Sequence, residues 1–327
     1  MISRLLDRLR GRYDRLDEQD IERAIDIVVE QTDPRLRFVH GFRRKLRKPV
    51  VRSLVYVNDL VTRIPGPFEI SRKAYGSDPQ VNALFGSADD IETLFSRNEM
   101  LQNFFRDMPG CDRVCVPLAM LRREKRILGM ALSGDIVRRD VARTAVNFSG
   151  HRLGIVCAES AAELRSKLKW RGIHTLAVTA LENITRLKTR TADLEEQRAL
   201  LKMKLRDVQA QQRGLDAIAG VAPEDTQEQQ ALEQRLDDTG KKLQEARTGV
   251  ATLVDYLDQV CQVLNHPSRY LRVRGNSVMV DRMGIKLDEM SHEQGGEVFS
   301  ATLTIGTHPD FEIILAAFQR SDMAATH

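Results

Sequence analysis

Metal or nucleophilic chemistry would show first at the chain's four cysteines and seven histidines. Cys111 and Cys115 are separated by three residues, Cys157 lies further on, and His151 is close to it in sequence. These are zinc-ligand types, but a structural site shows two close-spaced couples and the second is missing, so the spacing favours ordinary buried cysteines. His40, His151, His174, His266, His292, His308 and His327 are dispersed, with no helical pair four residues apart. The acidic pairs Asp89-Asp90, Glu195-Glu196 and Asp237-Asp238 fall at helix starts or on outer helix faces, where capping and solvation account for them. There is no Gly-Lys phosphate loop, nucleophile elbow, H-E-x-x-H or dinucleotide glycine fingerprint. The expectation is a protein that is not an enzyme, with no catalytic residue, no metal and no cofactor.

Binding chemistry is better represented. Arg35, Arg37, Arg43, Arg44, Lys45, Arg47, Lys48 and Arg52 occur with no acid between Asp33 and Asp59, and Leu36, Phe38, Val39, Phe42 and Leu46 supply an apolar stripe. A basic amphipathic helix over 35–52 could meet the phosphates of nucleic acid or an anionic membrane surface. The simpler reading is a helix packed on the body, its cations solvated or paired with Asp17, Glu18, Asp20 and Glu22. Few aromatics interleave with the cations, which argues against a single-strand stacking platform. The second candidate is a turn near 216–225, where Asp216, Glu224 and Asp225 surround an apolar stretch containing Ile218 and Val221. Apolar residues at an exposed tip suit a partner contact.

The global numbers permit these readings without selecting one. A net charge of +4 over 327 residues is mild, and 42% hydrophobic residues are enough for an ordinary core. Scattered cysteines indicate a reducing compartment, and the start lacks a secretory apolar region, so the expected location is the cytoplasm. No apolar run reaches 18 residues, so no transmembrane segment is expected. The first sixteen residues have the spacing of an amphipathic helix, most simply one packed on the body.

The elements that must position these residues come in three kinds. Residues 1–110 read as a helical region: Asp33-Pro34 and Asp78-Pro79 are N-cap and first-turn proline pairs, Ser87 with Asp90 resembles a capping box, Pro49 interrupts one pattern, and the last short helix ends near Asp107. Residues 111–159 read as an antiparallel meander, RVCVPLAML and ILGMALSG joined by a charged turn at Arg123-Glu124-Lys125, then DVARTAVNF. Residues 266–327 return to strands, with Gly275-Asn276, Gly295-Gly296 and His308-Pro309 as turns. In EVFSATLTIG, Phe299, Ala301, Leu303 and Ile305 alternate with Ser300, Thr302 and Thr304, which predicts that the first set is buried.

Between them, residues 160–265 carry the most regular pattern. After the capping signal Ser160 to Glu163, Ile173, Ala180, Leu187, Leu194, Leu201, Val208 and Leu215 recur every seven residues, while Thr191, Arg198 and Gln212 dilute the second seam. The return is cleaner: Leu232, Leu236, Thr239, Leu243, Ala246, Val250, Leu253, Leu257, Val260 and Leu264 step by four and three as one helix. Gly220 to Pro223 breaks the chain between them, and a short connection forces the helices antiparallel. The predicted fold is therefore α+β: a helical N-terminal region, a small mainly antiparallel β body, and a long antiparallel α-helical coiled-coil hairpin inserted between two sets of strands.

In architecture the hairpin is similar to that of transcription factors that push a coiled-coil finger with acidic tip residues into the secondary channel of bacterial RNA polymerase. The likeness covers about a third of the chain, includes no shared motif, and implies a protein partner reached by the tip. The function expected from the sequence is a non-enzymatic interaction or scaffold protein whose hairpin binds a protein partner or a second copy in a homodimer. The alternative is a nucleic-acid- or membrane-surface-associated factor using 35–52.

Overall fold

The computed structural model describes residues 17–133, 136–216, 223–247, 252–287 and 295–323. They combine helices with one mainly antiparallel sheet, an α+β fold, in two compact units. One unit joins Met1–Ser53 to His174–His266, and the other joins Leu54–Ile173 to Pro267–His327. The division falls inside the helical N-terminal region, between Ser53 and Leu54.

In the first unit, α1 (Glu18–Thr32) starts where the Asp17 carboxylate accepts the Gln19 N–H, and it buries Ile21, Ala24, Ile25, Val28 and Val29. A short 3-10 turn over Pro34–Phe38 follows, capped by Asp33. The basic stretch is thus not one helix: after Gly41, at φ +70, the chain begins again as α2 (Phe42–Thr62). Pro49 does not interrupt that helix but lies within it. A proline leaves the carbonyl four residues earlier without its helical donor. Here that carbonyl, of Lys45, lies 3.9 Å from Cys261 Sγ, which donates to it.

The long outgoing helix α7 (Ala161–Asp216) lies in this unit from His174 onward. From Ile184 to Val208, its residues that escape exposure are Ile184, Leu187, Thr191, Leu194, Arg198, Leu201, Leu205 and Val208. Steps of three and four alternate throughout, and Thr191 and Arg198 hold seam positions like the apolar residues. The return path is two helices where the sequence suggested one: α8 (Pro223–Arg247) and α9 (Leu253–Asn265). Thr252 caps α9 anew, its hydroxyl accepting the Asp255 N–H while the Asp255 carboxylate accepts the Thr252 N–H. The apolar period ran on through this point because a cap interrupts the backbone, not the spacing of the stripe. Leu232, Thr239 and Leu243 of α8 and Leu257, Val260 and Leu264 of α9 are buried. Arg247 pairs with Glu195, and Lys188 Nζ sits 4.4 Å from the Tyr256 ring centroid, so the two paths run antiparallel.

The second unit is built on a sheet in the order β3-β2-β6-β5-β4. Its strands are β1 (Phe68–Glu69), β2 (Arg113–Ser133), β3 (Ile136–Leu153), β4 (Leu271–Val280), β5 (Gly296–Ile305) and β6 (Phe311–Gln319). β2 and β6 pair antiparallel from Arg113 with Gln319 to Met120 with Glu312, so strands from before and after the long helices share one sheet. β1 pairs parallel with β6 at Ala316 and Ala317.

Two sequence-based turns prove to be strand. Arg123-Glu124-Lys125 lies within β2, paired with Val146 and its neighbours, and Gly275-Asn276 lies within β4 opposite Ser300 and Ala301. Charge alone does not turn a chain, and a strand with one solvated face accommodates it.

Short helices α3 (Arg72–Ser77), α4 (Pro79–Leu84), α5 (Ala88–Ser96) and α6 (Glu99–Asp107) form with this sheet a core that contains Leu84, Ile91, Phe95, Leu101 and Phe105 together with Val114, Val116, Leu118, Ile314, Ala316 and Phe318. The other sheet face is also covered. Gly172 of α7 approaches so closely that an added Cβ would lie 2.5 Å from Val57 and 3.6 Å from Leu271. The Tyr56 hydroxyl donates to the Leu271 carbonyl at 2.8 Å. The alternation expected in β5 runs in the opposite phase at its start: Phe299 is 41% exposed between buried Val298 and Ser300, and Ala301 is fully buried as well.

Candidate functional site

Each cysteine has a structural setting, and the Cys111 thiol donates to the Arg113 carbonyl at 2.9 Å. The Cys115 backbone pairs with Ala158, and burial pushes its thiol pKa up. Burial also raises Cys157, beside Lys167, whose ammonium donates to the Cys157 carbonyl at 2.8 Å. Cys261 is pushed up to about 11, by burial first and then by Asp258. A raised pKa keeps these groups as thiols, the less reactive form. His151 stacks on Phe85 with ring centroids 4.7 Å apart, its Nε2 lies 2.7 Å from the Leu84 carbonyl, and burial holds its pKa below the usual value. Among the described residues, no group of three or more His, Cys, Asp or Glu side chains is placed to hold a metal ion.

The basic stretch is largely compensated within its own unit. Arg35 pairs with Asp33, Arg37 with Glu30, Arg43 with Glu22 and Asp26, Lys45 with Asp258, and Arg47 with Glu18. Asp33 and Glu18 are held below the usual carboxylate range, chiefly by hydrogen bonds from Arg35 and Arg47. Arg44 and Lys48 are exposed and make no ion pair among the described residues. Residues 18–30 of α1 thus present carboxylates to the cations that the sequence nominated for phosphate.

Of the tip candidates, Ile218 and Val221 lie outside the described residues, and Asp216, Glu224 and Asp225 are described only as helical backbone. The amphipathic start at 1–16 lies outside them as well.

Two of the cavities are lined by described residues. A cleft of about 820 Å³ beside α8 is lined by Arg198, Glu233, Asp237, Gly240, Lys241 and Arg247. Arg198 Nε is buried there without a hydrogen-bond partner. A smaller hollow of about 440 Å³ lies between Tyr75 to Asn82 and the ends of β4 and β5. Its polar groups are engaged in structure: Asp78 caps α4, Asp281 accepts the Met283 and Ile285 N–H groups, and the Tyr75 hydroxyl donates to the Gly86 carbonyl.

Sequence reasoning missed two arrangements. Glu312, buried in β6, accepts the Ser300 hydroxyl at 2.5 Å and the Thr302 hydroxyl at 2.8 Å. The signal was an acid inside the apolar run FEIILAAF, one turn after a strand carrying Ser and Thr. The second is the part of β2 and β3 beyond Met120, where β2 no longer pairs with β6. Its cations were assigned to a turn and so were not read as a strand face. No family model matches the chain, and no curated protein or solved structure is significantly similar to it.

Proposed function

We propose that the protein is a non-enzymatic cytoplasmic interaction protein, in which α7 with α8 and α9 forms a coiled-coil hairpin whose tip engages a protein partner or a second copy. The observation that carries this reading is the burial pattern from Ile184 to Val208, where inward positions alternate by three and four and every residue between them is exposed. Such helices use their apolar stripe on each other and contribute little to any wider core. The arms expected from the sequence, about 40 paired residues each, would reach roughly 60 Å at 1.5 Å per residue. Length without core building suits an element whose end does the work. The free state of all four cysteines agrees with a reducing compartment. Among the described residues, no helix is long and apolar enough to cross a membrane.

The test is a shortened arm. Joining Leu205 to Leu236 through a four-residue Gly-containing turn keeps two facing seam positions and removes the distal part. The expected outcome is an unchanged far-UV spectrum per remaining helical residue, with loss of self-association in sedimentation velocity or of the full chain's crosslinked partner set. A shortened protein that keeps both would overturn the proposal.

A further inference from the structure

We infer that the two-stranded ribbon formed by β2 and β3 beyond the sheet is a docking surface for double-stranded nucleic acid, contacting its phosphates without reading sequence. β2 pairs with β6 only as far as Met120, yet its pairing with β3 continues to Ser133. The remaining length is about 40 Å at 3.4 Å per residue.

Alternation sorts the described side chains of this ribbon into two faces. Phe148 and Val146, opposite Arg122 and Glu124, are buried in the core of the second unit, and Arg122 pairs with Glu124. The opposite face carries Arg123 across from Asn147, Lys125 across from Ala145, and Ile127 across from Arg143. Arg123, Lys125 and Asn147 are exposed. Among the residues beyond Met120 whose side chains are described, 121–128 and 141–149, this face holds cations and no carboxylate. Glu124, the only acid among those described side chains, points to the other face.

The contrast with Arg35 to Arg47 is physical. Those cations have carboxylate partners supplied by the fold, and a phosphate would have to displace them. Arg123 and Lys125 stand two residues apart on one strand face, and among the described residues neither makes an ion pair. The chain at Ile285 and Lys286 pairs with β3 at Ala145 and Thr144; from Arg143 to the tip no third strand is described, and such a two-stranded ribbon is one of the shapes that the major groove of a duplex admits. No exposed aromatic residue lies on the described face, which favours a duplex over an unstacked single strand.

The experiment uses the full chain and a fluorescein-labelled 30-base-pair DNA of random sequence, followed by anisotropy from 50 to 200 mM salt. The result expected is binding that weakens with salt and is at least tenfold weaker in Arg123→Ala/Lys125→Ala, with the log-log salt slope reduced by about 2, as for two lost phosphate contacts. Arg123→Lys, which keeps the charge, binds within twofold of the parent, and Arg43→Ala/Arg47→Ala leaves the slope unchanged. Thermal melts of each variant establish that folding is retained. Absence of binding at 50 mM salt, a slope unaffected by the ribbon substitutions, a preference for single strands, or binding to phosphatidylserine vesicles but not to the duplex would each overturn the inference.

Discussion

The sheet of the second unit and the long helices of the first bury apolar residues in opposite ways. In β6 every residue from Glu312 to Phe318 is buried, because helices cover both faces of a central strand. Along α7 from Ile184 to Val208 only a single stripe escapes solvent. A two-sided core loses contacts in all directions when a side chain is truncated, whereas a seam can close over a loss from its open flanks. Stability should therefore concentrate in the sheet, and the arms should tolerate change. Trp170, the only tryptophan, belongs to the second unit, so its fluorescence separates that unit from the helical signal of the first.

The largest effect tests this contrast most directly. Phe95 is fully buried and stacks on Phe318 with centroids 4.5 Å apart. Phe95→Ala is expected to lower stability by about 3–5 kcal/mol, whereas Leu243→Ala in the seam should cost about 2 kcal/mol, the low end for a buried leucine. Urea unfolding followed by Trp170 fluorescence and by ellipticity at 222 nm measures both. Equal losses would break the comparison, since the seam would then be as unforgiving as the core.

A smaller loss concerns the polar residues that the two-sided burial takes in. Ser300 supplies the shorter of two hydroxyl bonds to Glu312. Ser300→Ala leaves a buried carboxylate short of one donor and should cost about 1–3 kcal/mol in the Trp170 transition. A variant within 0.3 kcal/mol of the parent, about the experimental error, would show that Asn276 or water replaces the hydroxyl.

These regions also differ in how much of them can be read from residues alone. The arms were legible because one parameter, a 3.5-residue repeat, decides which side of a helix is buried, and Leu232 to Leu264 keep to it even across the new cap at Thr252. Capping residues were equally plain: Asp33, Asp78, Ser87 and Ser160 all accept the N–H groups their positions suggested. The sheet was not legible in detail because burial on both faces removes the period of two. In β5 the phase was inverted at Phe299 and Ser300, because the buried partner of the Ser300 hydroxyl, Glu312, is brought opposite it only by folding, and Gly275-Asn276 passed for a turn. The basic stretch failed differently: its cations were visible, but Glu18, Glu22 and Asp26 had to be brought opposite them by folding. The cations of β2 were misplaced by reading charge as a break. The apolar tip at Ile218 and Val221 stays an expectation from the sequence.

The smallest effect should be a gain, and it comes from the weakest part of the seam. Arg198 occupies an inward position with its Nε unpartnered, and Gly240 lines the same cleft with nothing within 4 Å of where a Cβ would stand. Glycine in a helix interior costs about 1 kcal/mol relative to alanine, so Gly240→Ala should stabilise α8 by that amount, with the methyl entering open space. Arg198→Leu should add about 1 kcal/mol by removing an unsatisfied donor and restoring the apolar stripe. Both gains should appear in the 222 nm transition and leave the Trp170 transition in place. If the two signals shift together, the helices and the sheet unfold as one cooperative structure, and their different ways of burying residues do not give them separate stabilities. If only the helical signal shifts, Arg198 and Gly240 are retained at a cost to the arm, and the cleft they share becomes the place to look for what that cost secures.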